Sequence, residues 1–312
     1  MGVDESLPAH IRQRGDYDAS QQPKPYPPEP TPLTVAVYDN HAHLEFADGE
    51  NPMDYREHLD RAASVGVAGV VQVGTDVETS RWSAAVAGRE PRVLAAVSVH
   101  PNEAPRLARA GQLEDALADI NDVAQKPRVV AIGETGLDFF RTEEEFQGVQ
   151  KHSFIEHIRM AKAHNLALQI HDRDAHQAVV DTLLEVGAPD RTVFHCYSGD
   201  AELAEILSEH GWYASFSGTV TFKNSDHLRA ALRVMPRSKI LVETDTPFLT
   251  PMPHRGAPNS PYMIPYTVRS MANTLEMDEA LLCAQLTSNT HDVYGMWDEH
   301  PLADVGSVLA GH

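Results

Sequence analysis

The sequence predicts an α/β protein of the (β/α)8 TIM-barrel class, folded as a single domain, and three observations carry that prediction. Eight short apolar runs alternate with helix-like stretches across residues 33–297. No GxGxxG or P-loop pattern follows the first run, as an open nucleotide-binding sheet would have. Side chains that ligate metals fall at the C-terminal ends of the runs, where barrels build their active sites.

The predicted strands are Val35–Asn40, Val67–Val73, Val93–Val99, Val129–Gly133, Leu166–His171, Thr192–Cys196, Trp212–Phe216 and Lys239–Thr244. Their unbroken apolar character suits a parallel sheet buried on both faces. Between them, Thr75-Asp76-Val77-Glu78 reads as a capping box, and Gly66, Gly88, Gly187 and Gly211 sit where helices end. Glu143–Asn165 carries Phe146, Val149, Phe154, Ile158 and Ala161 at helical spacing, so its His152, His157 and His164 are expected on the surface. Residues 263–297 predict one or two extra C-terminal helices, and Trp297 is expected to close the barrel at its bottom or side.

Outside that span lie two tails. Residues 1–32 are proline-rich, with six prolines in the twelve residues Gln21–Pro32, and are expected to be poorly ordered or draped on the surface. Residues 298–312 are assigned as a C-terminal tail.

Composition narrows the function. The 312 residues fit one barrel of about 250 residues with its tails. Against 45 Asp and Glu stand 25 Lys and Arg, a net charge of −20, and such a surface repels polyanions at long range. Any capture of nucleic acid must therefore use local cations, which excludes a broadly basic duplex binder. Two cysteines, Cys196 and Cys283, exclude a disulfide framework and point to a reducing compartment. No run approaches the roughly 18 apolar residues of a membrane span, and no secretory leader is visible. A cytoplasmic monomer with no membrane partner is expected.

The chemistry-bearing residues converge. His41 and His43 end the first strand two residues apart, so their imidazoles point to one side. Glu134 ends the fourth strand, His171 the fifth, His195 the sixth and Asp245 the eighth. A lone strand-end histidine is commonly structural; six such groups at one barrel mouth predict a metal centre. Imidazole with carboxylate suits Zn2+, Mn2+ or iron, and the carboxylates also admit Mg2+. Six ligands exceed the three of a catalytic zinc and suit two divalent metal ions sharing one carboxylate. Ions about 3.5–4 Å apart can activate a shared water and neutralise phosphoryl oxygens.

Asp245 is the candidate general base or water-orienting group, and Glu243 the candidate partner of a ligating histidine. His100, Arg173, Lys223 and Arg255 follow strands and are candidate phosphate-binding groups. Phe216, Phe222 and Tyr197 fit core or loop packing better than base stacking. Cys196 lacks a separate base and is rejected as a nucleophile.

Specific segments carry a resemblance. Val37-Tyr38-Asp39-Asn40-His41-Ala42-His43-Leu44, Ile132-Gly133-Glu134-Thr135-Gly136-Leu137-Asp138, His171-Asp172-Arg173, His195-Cys196-Tyr197-Ser198-Gly199 and Val242-Glu243-Thr244-Asp245-Thr246-Pro247 together resemble the TatD family of metal-dependent deoxyribonucleases. The similarity runs in order over about residues 33–297. It implies that His41, His43, Glu134 and Asp245 hold one ion and that Glu134, His171 and His195 hold the other, with Glu134 as the bridge. It also implies a phosphodiesterase acting on DNA ends or single-stranded DNA, with a 3′-to-5′ exonuclease preference, in DNA degradation or repair. Asn40, Glu45, Leu168 and Ser260 depart from the usual pattern without removing a ligand. The alternative is an amidohydrolase-type metal hydrolase of a small phosphoester, lactone or amide. Such enzymes often place a carboxylated lysine on the fourth strand. Here Glu134 occupies that place and Lys126 precedes the strand.

Overall fold

A computed structural model of the chain describes residues 7–15 and 23–303. Eight strands form one parallel sheet in chain order: β1 (Val37–Ala42), β2 (Val67–Val73), β3 (Val93–Val97), β4 (Val129–Asp138), β5 (Ala167–Arg173), β6 (Thr192–Phe194), β7 (Tyr213–Phe216) and β8 (Ile240–Val242). The sheet curls until its ends meet. Ala42 bridges Thr246 in parallel, His43 N donates to Thr246 O at 2.8 Å, and Asp245 N donates to His41 O at 2.9 Å. The architecture is the expected (β/α)8 barrel.

Helices α1 (Tyr55–Ser64), α2 (Val77–Ala87), α3 (Ala104–Arg109), α4 (Leu113–Val123), α5 (Glu144–Ala163), α6 (His176–Val186), α7 (Ala201–Glu209) and α8 (Asp226–Val234) cover the outside. Two further helices, α9 (Ile264–Leu275) and α10 (Glu279–Tyr294), occupy the predicted C-terminal region. Inside the barrel, Val71, Val73, Leu94, Val130, Val193 and Leu241 pack into one buried cluster. Tyr294 and Trp297 close its lower end: Trp297 stacks on Tyr38 with centroids 4.2 Å apart and donates Nε1 to Arg92 O. The mouth at the opposite end is left to polar residues.

Several local expectations need correction. β4 and β5 run past their predicted ends, because Thr135 to Asp138 stay paired with Ile170 to Arg173. Gly136 makes that close pairing feasible: at φ 137°, an added Cβ would lie 2.2 Å from His171 O. The α2 cap is one residue on from the expected Thr75. Asp76 Oδ1 accepts from Thr79 N while Thr79 Oγ1 accepts from Asp76 N. Thr75 Oγ1 instead accepts from Arg12. Gly66, Gly187 and Gly211 take positive φ as helix-ending glycines do, but Gly88 keeps a right-handed helical conformation.

The described part of the proline-rich region lies along the barrel wall. Tyr262 Oη donates to Pro27 O and Arg269 Nη2 to Thr31 O. Arg12–Gln13 pairs with Phe46–Ala47, and Arg14 donates to Pro247 O at the mouth. No helix among the described residues is long and apolar enough to cross a membrane.

His157 overturns the expectation of a surface position. It is fully buried, donating Nδ1 to Ser153 O at 2.7 Å and accepting from Val99 N at 3.0 Å. A second proton would destroy the Val99 bond, and burial lowers its pKa to about 4. Burial, aided by the charge of His10, takes His58 to about 3. The unfolded chain binds these protons near pH 6.5 and the folded chain only near the lowered values, so stability is full above pH 6.5 and falls toward pH 4. Denaturant midpoints measured from pH 7 to pH 4.5 are expected to fall less steeply in His157→Gln than in the wild type. Identical slopes would contradict a neutral buried ring.

Candidate active site

The barrel mouth gathers the predicted groups around Glu134. This side chain, near the middle of β4, turns each carboxylate oxygen to a different set of partners. Oε1 lies 3.5 Å from His43 Nε2, 4.0 Å from His41 Nε2 and 3.7 Å from His100 Nε2. Oε2 lies 2.7 Å from His195 Nε2 and 3.2 Å from His171 Nδ1. Asp245 Oδ1 completes the first set, 3.6 Å from His43 Nε2 and 3.8 Å from His41 Nε2. His41 Nε2 and His43 Nε2 are 3.2 Å apart.

These separations fit a shared cation, since two ligands about 2.1 Å from an ion at tetrahedral angles stand roughly 3.4 Å apart. Tautomers fit as well. His41 Nδ1 faces Gln169 Oε1 at 2.9 Å, and Gln169 spends its amide hydrogens on Asn40 O and Tyr294 Oη. His41 must therefore donate from Nδ1, leaving the Nε2 lone pair inward. His43 Nδ1 donates to Val73 O, His195 Nδ1 to Glu243 Oε1, and His171 Nε2 to Asp138 Oδ2. In all four rings the outer nitrogen has an acceptor, so the inner nitrogen is free to ligate.

His100 is arranged the other way round. Its Nδ1 accepts from Asn102 N at 3.0 Å, so Nε2 carries the hydrogen toward Glu134. That makes His100 Nε2 a hydrogen-bond donor facing the mouth, the form that the candidate phosphate-binding role requires. The other three candidate phosphate-binding groups also rim the mouth. Arg173 ends β5 over the Phe140 ring, while Lys223 and Arg255 are exposed on loops, with Arg255 over Phe222. None of the three pairs with a described carboxylate.

Electrostatics balance positive imidazoles against carboxylates. Burial alone would raise the Glu134 carboxyl, but the neighbouring His100 and His195 rings and the hydrogen bonds of His171 and His195 hold it well below the usual range. Burial drives His41 down, as does neighbouring His195. Despite burial, His43 is carried up to about 9 by Glu134, Glu45 and Asp245, and His195 is carried well above its ordinary value by Glu134 and Glu243. Burial lifts Asp245 to about 7. A divalent cation would displace the inward protons of His43 and His195 and take over their charge. Burial, then Asp245 and Glu243, raise the Cys196 thiol well above its ordinary value, in keeping with a packed thiol. Tyr197 and Phe216 are buried, in keeping with packing.

Of the groups that hold the candidate ligands, sequence reasoning singled out Glu243 and missed Asp39, Gln169 and Asp138. Asp39 Oδ1 accepts from His41 N and Thr244 N, which ties β1 to the turn that carries Asp245. Gln169 and Asp138 orient His41 and His171. Asp39 and Gln169 each lie two residues before a candidate ligand on the same strand, so the alternation that paired His41 with His43 would have found them. Asp138 carried no such signal.

Fold and site together define a metal-dependent hydrolase on a (β/α)8 barrel. A family model described as TatD related DNase matches residues 38–295. The metal-dependent hydrolase TatD of Mycobacterium tuberculosis is 40% identical over 265 residues, covering 83% of this chain and 98% of that protein. A protein of Escherichia fergusonii named 3′-5′ ssDNA/RNA exonuclease TatD is 31% identical over 253 residues, covering 78% of this chain and 94% of its own. In fold, the chain resembles the crystal structure of YjjV, a TatD homologue of Escherichia coli K12, with TM-score 0.76 at 24% identity, covering 83% of this chain and 98% of that one. The chain belongs to the TatD family.

Glu243 offers a local test. Its Oε1 accepts from both His195 Nδ1 and Cys196 N, and the side chain is fully buried. Such partners of ligating histidines are worth about 10- to 100-fold in metal affinity or activity. Glu243→Gln keeps the shape but removes the charge that supports His195. Titration with Mn2+ is expected to show weaker binding by about that factor. Unchanged binding would contradict the orienting role.

Proposed function

We propose that this protein is a deoxyribonuclease that hydrolyses phosphodiester bonds with two divalent ions, working from 3′ ends of single-stranded DNA. The observation that carries the reading is Glu134, whose two oxygens face two separate imidazole sets. His41, His43, Glu134 and Asp245 would hold one ion, and Glu134, His171 and His195 the other. When bound, divalent cations neutralise phosphate oxygens and acidify water.

The chain's own groups do the rest. Asp245 keeps Oδ1 toward His41 and His43, and its side chain is partly exposed at the mouth, so its other oxygen can take a proton from attacking water. His100 Nε2–H would donate to a non-bridging phosphate oxygen. Arg173, Lys223 and Arg255 would bind flanking phosphates, which supplies the local cations that a net charge of −20 demands. Support for the polarity and substrate comes from the name of the Escherichia fergusonii relative. The small-substrate alternative has less support, because the fourth strand offers Glu134, and Lys126 is exposed ahead of it.

Oligonucleotides labelled at the 5′ end and incubated with Mg2+ or Mn2+ test the proposal. A ladder of progressively shortened labelled products is expected. Internal cutting of circular DNA with no degradation from ends would overturn the exonuclease reading. Hydrolysis of a small phosphoester alone would favour the alternative.

A further inference from the structure

Phe140 is 61% exposed and is the one aromatic among the exposed large apolar side chains of the described residues. Its position is not incidental to the site. Asp138 ends β4, holds His171 Nε2 through Oδ2, and accepts from Arg141 N through Oδ1 at 2.9 Å. The same carboxylate thus orients a candidate ligand and shapes the turn that presents Phe140. Phe139 N donates to Arg173 O, fixing that turn to the end of β5. Arg173 then lays its guanidinium over the Phe140 ring, 4.0 Å from the centroid.

A guanidinium stacked on one ring face is stiffened while its N–H edge remains available to a phosphate. The high exposure leaves the ring itself open to a second flat partner. An open ring face beside a cation that pairs with no described carboxylate matches a nucleotide, which offers a base and a phosphate together. A duplex hides its base faces, so the partner is an unpaired strand. The Arg255–Phe222 pair on the other side of the mouth differs, because there the ring is half-buried and the arginine exposed.

We propose that Phe140, backed by Arg173, is the stacking platform for a nucleobase of the single strand entering the candidate active site. This rests on the nuclease reading and adds a base-binding subsite to it. Stacking on an aromatic side chain is sequence-tolerant, so the platform selects for single-strandedness and not for sequence.

The test compares wild type, Phe140→Ala and Phe140→Trp on a single-stranded oligonucleotide and on the same strand made abasic near its 3′ end. Phe140→Ala is expected to raise KM on the normal strand by about 5- to 150-fold, the range given by loss of one base–aromatic stack. On the abasic strand, Phe140→Ala and wild type are expected to match. Phe140→Trp is expected to restore the normal-strand KM. A wild-type KM for Phe140→Ala on the normal strand, or an equal loss on both strands, would overturn the platform while leaving the nuclease reading intact. If the wild type cleaves neither strand, the nuclease reading fails and the platform with it.

Discussion

Glu134→Gln is expected to lower turnover by on the order of 10³-fold or more while the protein still folds cooperatively. The amide is nearly isosteric, so packing within β4 is kept. What changes is chemical: Oε1 faces His41, His43 and His100 while Oε2 faces His171 and His195, and an amide has only one oxygen to give. Its NH2 group would point at lone pairs on one side or the other. Loss of charge stabilisation worth several kcal/mol corresponds to at least three powers of ten. Steady-state kinetics with circular dichroism of the same sample checks both halves. Turnover near the wild-type value would remove Glu134 from the centre of the account.

Asp245→Asn is expected to cost about 10²- to 10⁴-fold in turnover, the usual range for a positioned acid–base group. Asp245 sits just beyond β8, with its amide on His41 O and a left-handed φ of 58°. Asparagine tolerates that conformation, so the backbone should survive the change. Oδ1 can still face His41 and His43, but the amide cannot accept a proton. The expected signature is a fall in kcat with KM little altered, read on a single-stranded oligonucleotide. A variant that loses KM and keeps kcat would make Asp245 a binding group only.

Much of this site was legible because of where residues stand in a repeating pattern. Apolar runs placed the strands, and a barrel brings one end of every strand together, so His41, Glu134, His171 and His195 could be assigned to one mouth although β4 and β5 run on past Glu134 and His171. Asp245 met them for a different reason: it lies past β8, and the Ala42–Thr246 bridge that closes the barrel brings it in. Alternation could point to Gln169 and did point to Glu243, but not to which ring each holds, because the tautomer-fixing contacts join positions far apart in sequence. Gln169 reaches His41 across the barrel, and Tyr294 of α10 reaches Gln169 from below.

Other features were illegible for physical reasons. His157 looked like a surface residue on a helix with mixed polarity, yet its neutral ring satisfies a backbone amide that β3 leaves over. Phe140 was not singled out in the sequence, because its exposure comes from the turn held by Asp138. The capping box slipped by one residue because Asp76 and Thr79 satisfy each other, leaving Thr75 to take Arg12. Local chemistry chose between near-equal caps that pattern alone could not separate.

The central claim is most directly tested by counting metal in the purified protein and following activity through chelation and re-addition. Two divalent ions per chain are predicted, with activity on single-stranded DNA lost on chelation and regained with Mg2+ or Mn2+. Full activity in the stripped protein would contradict the account.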